Sequence, residues 1–307
     1  GLTAPTAGTT YKVVIPAANF NLGTAPFAAT NSPAFISQPV NAAFGLSFAD
    51  CKGSAFAVQN VQFTLSASMS RGITLGGARV AITGCRFVAT SGTVFPIGYG
   101  STTMPMASPV IFSCYFGLVG TSNSTAYSGV STGGAAGIPG PSIQSCFFEG
   151  GCVGVSMGGN VVGPVMVNNF FKAQTLFSLS MLGVGLAQMN SGRIDGSATG
   201  FSSVESSTAG LGMTTFALNT WNISNCTVAA IELRGQFCGG YLTAVVGTGN
   251  LVGLKLSRGS KCVVASSVTL TGTTEVQLDG ATQTLAAMRA LTPKLLRDAN
   301  YHTVFYE

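Results

Sequence analysis

Charge is what this chain has least of. Only 7% of its 307 residues are Asp, Glu, Lys or Arg, against about 25% in an ordinary soluble domain. The nine acidic residues are Asp50, Glu149, Asp195, Glu205, Glu232, Glu275, Asp279, Asp298 and Glu307, and none are adjacent. The 14 Lys and Arg give a net charge of +5, but they are scattered, with Arg71, Arg79 and Arg86 as the closest set. No basic run or stripe exists, so a nucleic-acid partner is not expected. There is one His, His302, and no CxxC pair among the eight Cys. That supply excludes the usual zinc sites, and neither a metal nor a cofactor is expected. One Trp and seven Tyr are too few for the two aromatic girdles of an outer-membrane barrel. The longest apolar stretch, 176–189, is broken by Ser, Gly and Gln and is too short to cross a bilayer as a helix. Membrane insertion is therefore not expected.

What the chain does have is Gly, 41 residues, and hydrophobic residues at 46%, spread in short pieces between Gly, Ser, Thr and Asn. One phrase recurs: an aliphatic residue, two residues, a Cys or similar small apolar residue, one residue, then an apolar or aromatic one. The copies are Val58-Val61-Phe63, Ile82-Cys85-Phe87, Ile111-Cys114-Phe116, Ile143-Cys146-Phe148 and Ile223-Cys226-Val228, with Val167-Phe170-Lys172 as a weaker copy. Their starts step by about 24–32 residues, the last interval being about twice 28. A repeat of that size marks stacked units, none of which can bury its apolar face alone. Short β-branched and aromatic runs punctuated by Gly make those units strands. At three strands per unit they coil into a single-stranded parallel β-helix, right-handed as parallel crossovers are. The expected fold is all-β.

The repeat divides the chain. Residues 1–50 lack it and carry five Pro, which suits an extended arm or attachment segment with one strand near 11–15. Residues 51–275 are the β-helix, of about nine coils at this period. Residues 118–141 read as a long loop, and 183–215 as a Gly/Ser/Thr-rich stretch that blurs one repeat. Residues 276–307 read as a cap. There Leu285, Met288 and Leu291 have helical spacing, Thr292-Pro293 opens a second short helix through Asp298, and 301–306 returns to β character. Four Cys fall on one position of the phrase, so Cys85, Cys114, Cys146 and Cys226 are expected as a ladder of buried, unpaired thiols.

The repeated Ile-x-x-Cys-x-Phe phrase resembles the core strand of pectate-lyase-like right-handed parallel β-helices, over roughly 51–275. With its low charge, its Gly/Ser/Thr/Ala-rich loops and its separate ends, the chain is most similar to phage virion proteins of that fold: tailspikes, fibres and head decorations. The resemblance implies a homotrimer on the exterior of the virion. It would be held to other virion proteins through 1–50, with a host surface glycan as a further partner. The fold hosts enzymes and fibres alike, so activity rests on the site. The first expectation is a structural and interaction protein decorating head or tail. The alternative is a tailspike enzyme, a hydrolase or lyase, cleaving a bacterial surface polysaccharide.

Candidate chemistry is sparse. Enzymes resembling pectate lyases cluster Asp residues around Ca²⁺, and no such cluster exists here. A glycosidase needs two carboxylates, for which the candidates are Glu149 with Asp195 or Glu205, brought together across neighbouring coils or subunits. Counting from the repeat starts puts Val88, Gly117, Ala173 and Ala229 level with Glu149, which gives no column of carboxylates. Gly154-Val155-Ser156-Met157-Gly158 matches GxSxG, a signal only on a strand–turn–helix elbow, and no helix is expected after it. Tyr99, Tyr115, Tyr127 and Tyr241 fall in or near loops and are the glycan-stacking candidates.

Overall fold

The structure, a computed structural model, describes residues 11–13, 34–42, 46–47, 55–65, 71–76, 79–89, 94–99, 108–118, 128–131, 139–158, 161–204, 214–235, 238–289, 295–297 and 303–306. Nearly all of these lie in strands, and all but two of the strand pairings are parallel. Strands stack three to a turn. In one turn Ser142–Gln144, Phe147–Gly150 and Val153–Gly158 lie on what we call sheets I, II and III. The next turn lays Val165–Val167, Asn169–Lys172 and Phe177–Leu182 against them, with Ile143 on Met166, Phe148 on Phe171 and Val155 on Leu179. Turns begin on sheet I at residues 34, 55, 79, 110, 142, 165, 187, 214, 238 and 261. The described residues thus make a parallel β-helix with ten such turns, about 45 Å along its axis at about 4.8 Å per coil.

Nine of these coils run from 55 to 278, matching the count expected from the period. The first, Ala34–Ala42 with Leu46–Ser47, precedes residue 51. Tyr11–Val13 pairs parallel to it. The stack therefore begins inside the segment read as an arm. Residues 183–204, where the repeat is blurred, form a regular coil: Ala187–Met189, Gly192–Asp195 and Thr199–Val204.

The core is a set of columns along the axis. On sheet I, Val58, Ile82, Ile111, Ile143, Met166, Met189, Leu218 and Leu242 stand one above another, all buried. On sheet II the column is Phe63, Phe87, Phe116, Phe148 and Phe171, with ring centroids 4.6–4.9 Å apart and planes within 5°. Each such ring contributes about 1.5–3 kcal/mol by leaving water. Stacking at the rung spacing is what an in-register parallel sheet imposes on identical side chains.

The corners explain the rest of the phrase. Between sheets I and II the chain turns at a residue with positive φ: Gly84 (63°), Ser113 (52°), Ser145 (53°), Asn168 (53°) and Thr220 (59°). The N–H groups of Gly84, Ser113 and Ser145 donate to Phe112, Gln144 and Val167 of the next coil at 2.9–3.0 Å. A left-handed turn favours Gly and small polar residues. The following residue points inward, and there Cys85, Cys114, Cys146 and Asn169 succeed one another.

Two copies of the phrase stand elsewhere than expected. The sixth coil uses Met166, Asn169 and Phe171 where the sequence suggests Val167, Phe170 and Lys172. The shift is one residue, which exchanges the inner and outer faces of a strand. Ile223 belongs to the sheet II column, in register with Ile194, so Cys226 lies at the corner between sheets II and III and Val228 is exposed.

At the C-terminal end Ala281–Gln283 folds back antiparallel on the last strand, and Leu285–Arg289 forms one helical turn. Leu295–Arg297, expected in a second helix, is instead a strand antiparallel to Thr303–Tyr306, which itself extends sheet I. A short helix must bear its own nucleation cost, while a sheet edge offers ready partners. Among the described residues no helix is long and apolar enough to cross a membrane.

Candidate functional site

Alternate residues of sheet II point outward and form two rows. The first reads Arg86, Tyr115, Phe147, Phe170, Arg193 and Asn222; the second reads Val88, Gly117, Glu149, Lys172, Asp195 and Ser224. Lys172 and Ser224 stand where the count puts Ala173 and Ala229, the first through the one-residue shift at the sixth coil and the second because Ile223 lies on sheet II. Asp195 is level with Glu149, two coils on, in a coil that no copy of the phrase marks.

In the first row Phe147 and Phe170 stack at 4.9 Å, and Tyr115 meets Phe147 edge-on at 5.6 Å. Guanidinium groups close the file at both ends. Arg86 lies 4.9 Å from the Tyr115 ring centroid and Arg193 5.1 Å from that of Phe170. These contacts are cation–π in kind. They turn ring faces towards neighbours along the axis and leave mainly ring edges to the solvent.

The second row is tied to the first. Tyr115 Oη donates to Glu149 Oε2 at 2.8 Å, and Lys172 Nζ lies 3.4 Å from Oε1. Arg193 Nη2 meets Asp195 Oδ2 at 3.0 Å, and Asn225 Nδ2 donates to Asp195 Oδ1 at 2.7 Å. The Tyr115 hydrogen bond, with help from Lys172, holds the Glu149 carboxyl below the usual carboxylate range. Burial, and then the adjacent carboxylate, push the Tyr115 phenol up. Glu149 and Asp195 are about 9.6 Å apart along the sheet, two rungs of about 4.8 Å, and Lys172 stands between them. A catalytic acid must keep its proton near neutral pH, and Glu149 is displaced the other way.

The remaining candidates lie apart from this face. Tyr241 is half-buried on the outside of sheet I, level with Ala217 and Val263. Tyr99 ends the strand Phe95–Tyr99. Tyr127, Glu205, His302 and Cys51 fall outside the described residues. Ser156 sits mid-strand in Val153–Gly158, level with Ser180, and not on an elbow.

Cys85, Cys114 and Cys146 are buried and free at one corner, while Cys226 is buried and free at the other. Cys114 N–H points at Cys146 Sγ at 3.4 Å. Hydrogen bonding to the Cys114 thiol and burial together push Cys85 far up, and burial pushes Cys226 up to about 12. Cys85 and Cys226 are therefore protonated packing groups and poor nucleophiles, while the hydrogen bond with Cys114 moves the Cys146 thiol down. Among the described residues no cluster of three or more His, Cys, Asp or Glu side chains could hold a metal.

One charged group escaped the sequence reading. Glu232, on the outer face of sheet III, has a side chain 4% exposed and meets Arg234 Nη2 at 2.7 Å and Lys255 Nζ at 3.0 Å. Glu232-x-Arg234 places both charges on one face of a strand, which is the signal a charge-poor chain offered. No protein-family model matches this chain, and no curated protein or solved structure does either.

Proposed function

We propose that this chain is a structural and interaction protein of a phage particle, a homotrimeric β-helix that decorates head or tail and contacts the host surface without cutting it. The observation that carries the reading is the outer face of sheet II. Neither candidate carboxylate there has the apolar surroundings that keep a proton on a general acid: Glu149 accepts from Tyr115 beside Lys172, and Asp195 meets Arg193 and Asn225. The same face joins aromatic edges to fixed charges of both signs, a surface suited to contact. Apolar side chains also stand outside the stack, with Phe112 and Val110 each 43% exposed and Leu186 68% exposed, as expected of a protein that meets others. Attachment to other virion proteins is assigned to the N-terminal 1–50.

The test is incubation of the purified protein with host capsule or lipopolysaccharide, followed by assays for new reducing ends and unsaturated uronates. The expected result is binding without product. Product that disappears in Glu149→Gln or Asp195→Asn overturns the reading in favour of a polysaccharide-cleaving tailspike.

A further inference from the structure

The last coil is covered unevenly. On sheet I, Lys261–Val264 is followed by Thr303–Tyr306. On sheet III the antiparallel strand Ala281–Gln283 covers the final strand, Thr269–Leu278, from Val276 onward. Residues 269–275 of that strand pair on one edge with Val246–Ser257. Among the described residues no strand takes their other edge.

The hairpin leaves that edge open for a local reason. Thr284 Oγ1 accepts from Ala287 N–H at 3.0 Å, and Leu285 N–H donates to Glu275 Oε2 at 2.6 Å, so the chain turns into its helix where the ladder would otherwise continue. The separation opens a cleft of about 470 Å³, bounded by 272–275 on the strand side and by 282–284 and Ala287 on the other.

We propose that this cleft receives an extended segment of a partner polypeptide bearing a Lys or Arg side chain, which adds a strand to the open edge. Unpaired backbone N–H and C=O groups along a strand are a template for such addition. The walls are Thr hydroxyls, the Gln283 amide and a single charge, Glu275, and no cation is among the described residues that line the cleft. That charge pattern favours a basic segment and disfavours an acidic one. Four residues of edge, at about 3.3 Å each, set the length of contact at about 13 Å. This proposal is independent of whether sheet II cuts or merely binds glycans.

The test uses the full chain and fluorescein-labelled acetyl-Thr-Val-Lys-Val-Thr-amide, with two comparators: Glu in place of Lys, and the Lys peptide N-methylated at alternate amides. Fluorescence anisotropy should show saturable binding of the Lys peptide, and binding of the Glu peptide weaker by about tenfold or more. The N-methylated peptide should lose binding, since it cannot complete the ladder. Gln283→Lys, an exposed wall position, should weaken the Lys peptide while leaving the melting temperature unchanged. Equal binding of the Lys and Glu peptides, indifference to Gln283→Lys, or no saturation by about 1 mM overturns the proposal.

Discussion

Asn169 takes the place of a thiol at the end of the file Cys85, Cys114, Cys146, and it does so with hydrogen bonds. Its Oδ1 accepts from Cys146 N–H at 3.0 Å and its Nδ2 donates to Ile143 C=O at 2.9 Å. Asn250 repeats the arrangement at the other corner, with Cys226 N–H at 3.0 Å and Ile223 C=O at 2.9 Å. Ile-x-x-Cys followed one coil later by Asn is therefore one local solution used twice. Asn169→Ala should leave two buried backbone groups unpaired and lower stability in urea by about 2 kcal/mol or more, at about 1–3 kcal/mol for each group. Cys114→Ser should cost about 1–3 kcal/mol, because the shorter hydroxyl must reach carbonyls that now lie 3.4 and 3.6 Å from sulfur. An unchanged denaturation midpoint would contradict either. Glu232 carries a pH signature. Burial raises its pKa, but Arg234 and Lys255 outweigh burial and hold it below the ordinary value. Its stabilising contribution is thus present above the unfolded pKa and is lost as pH falls through the lower folded one. Glu232→Gln should cost about 1–3 kcal/mol at neutral pH, because the two cations it leaves are 41% and 33% exposed, with the gap to wild type closing in acid, measured by urea denaturation at both pH values.

At the scale of the strand, the sequence speaks clearly where inner and outer positions differ in kind. Ile143-Cys146-Phe148 has Ser142, Gln144, Ser145 and Glu149 among its neighbours and stands where the phrase puts it, as do Ile82-Cys85-Phe87 and Ile111-Cys114-Phe116, the last although Val110 and Phe112 beside Ile111 are apolar. The sixth coil does not alternate. Val165, Met166 and Val167 are all apolar, as are Phe170 and Phe171, so the pattern fits either face and only the neighbouring coil selects one. The phrase at Ile223 misleads for a different reason. Both corners turn through a positive-φ residue, Ser145 before Cys146 and Asn225 before Cys226, and like turns call for like residues. That Asp195 stands in one row with Glu149 could not be counted from the phrase, because no copy marks the coil that carries Asp195. Gly192 marks the next irregularity. A Cβ there would come within 2.5 Å of the Trp221 ring and 2.8 Å of Asn169 O, since Trp221 fills the corner from the coil beyond and donates to Met189 O at 2.9 Å. Gly192→Ala should destabilise by about 1–3 kcal/mol through overpacking and shift Trp221 emission to the red. A native-like spectrum with full stability would show that the ring is not held there.

At the scale of the molecule, ten coils make a rod whose sides are poor in charge, with a mean hydropathy of +0.45. Such a surface favours closed association. Light scattering should return about three times the chain mass of 31.1 kDa, and a dilute, soluble monomer would contradict the trimer. The account depends above all on register, because the columns, the corners and the outer rows all follow from which residue stands on which. Cysteine pairs on adjacent coils test it directly, since level residues in a parallel sheet, about 4.8 Å apart, lie within disulfide reach. The pairs are Gln62→Cys with Arg86→Cys on sheet II, Gln144→Cys with Val167→Cys on sheet I, and Ser156→Cys with Ser180→Cys on sheet III. After mild oxidation, mass spectrometry should find a cross-linked peptide for every pair and none between a new cysteine and a buried one. Failure of the Gln144 and Val167 pair, with cross-linking when Cys is placed at Ile143 and Val167 instead, would contradict the register.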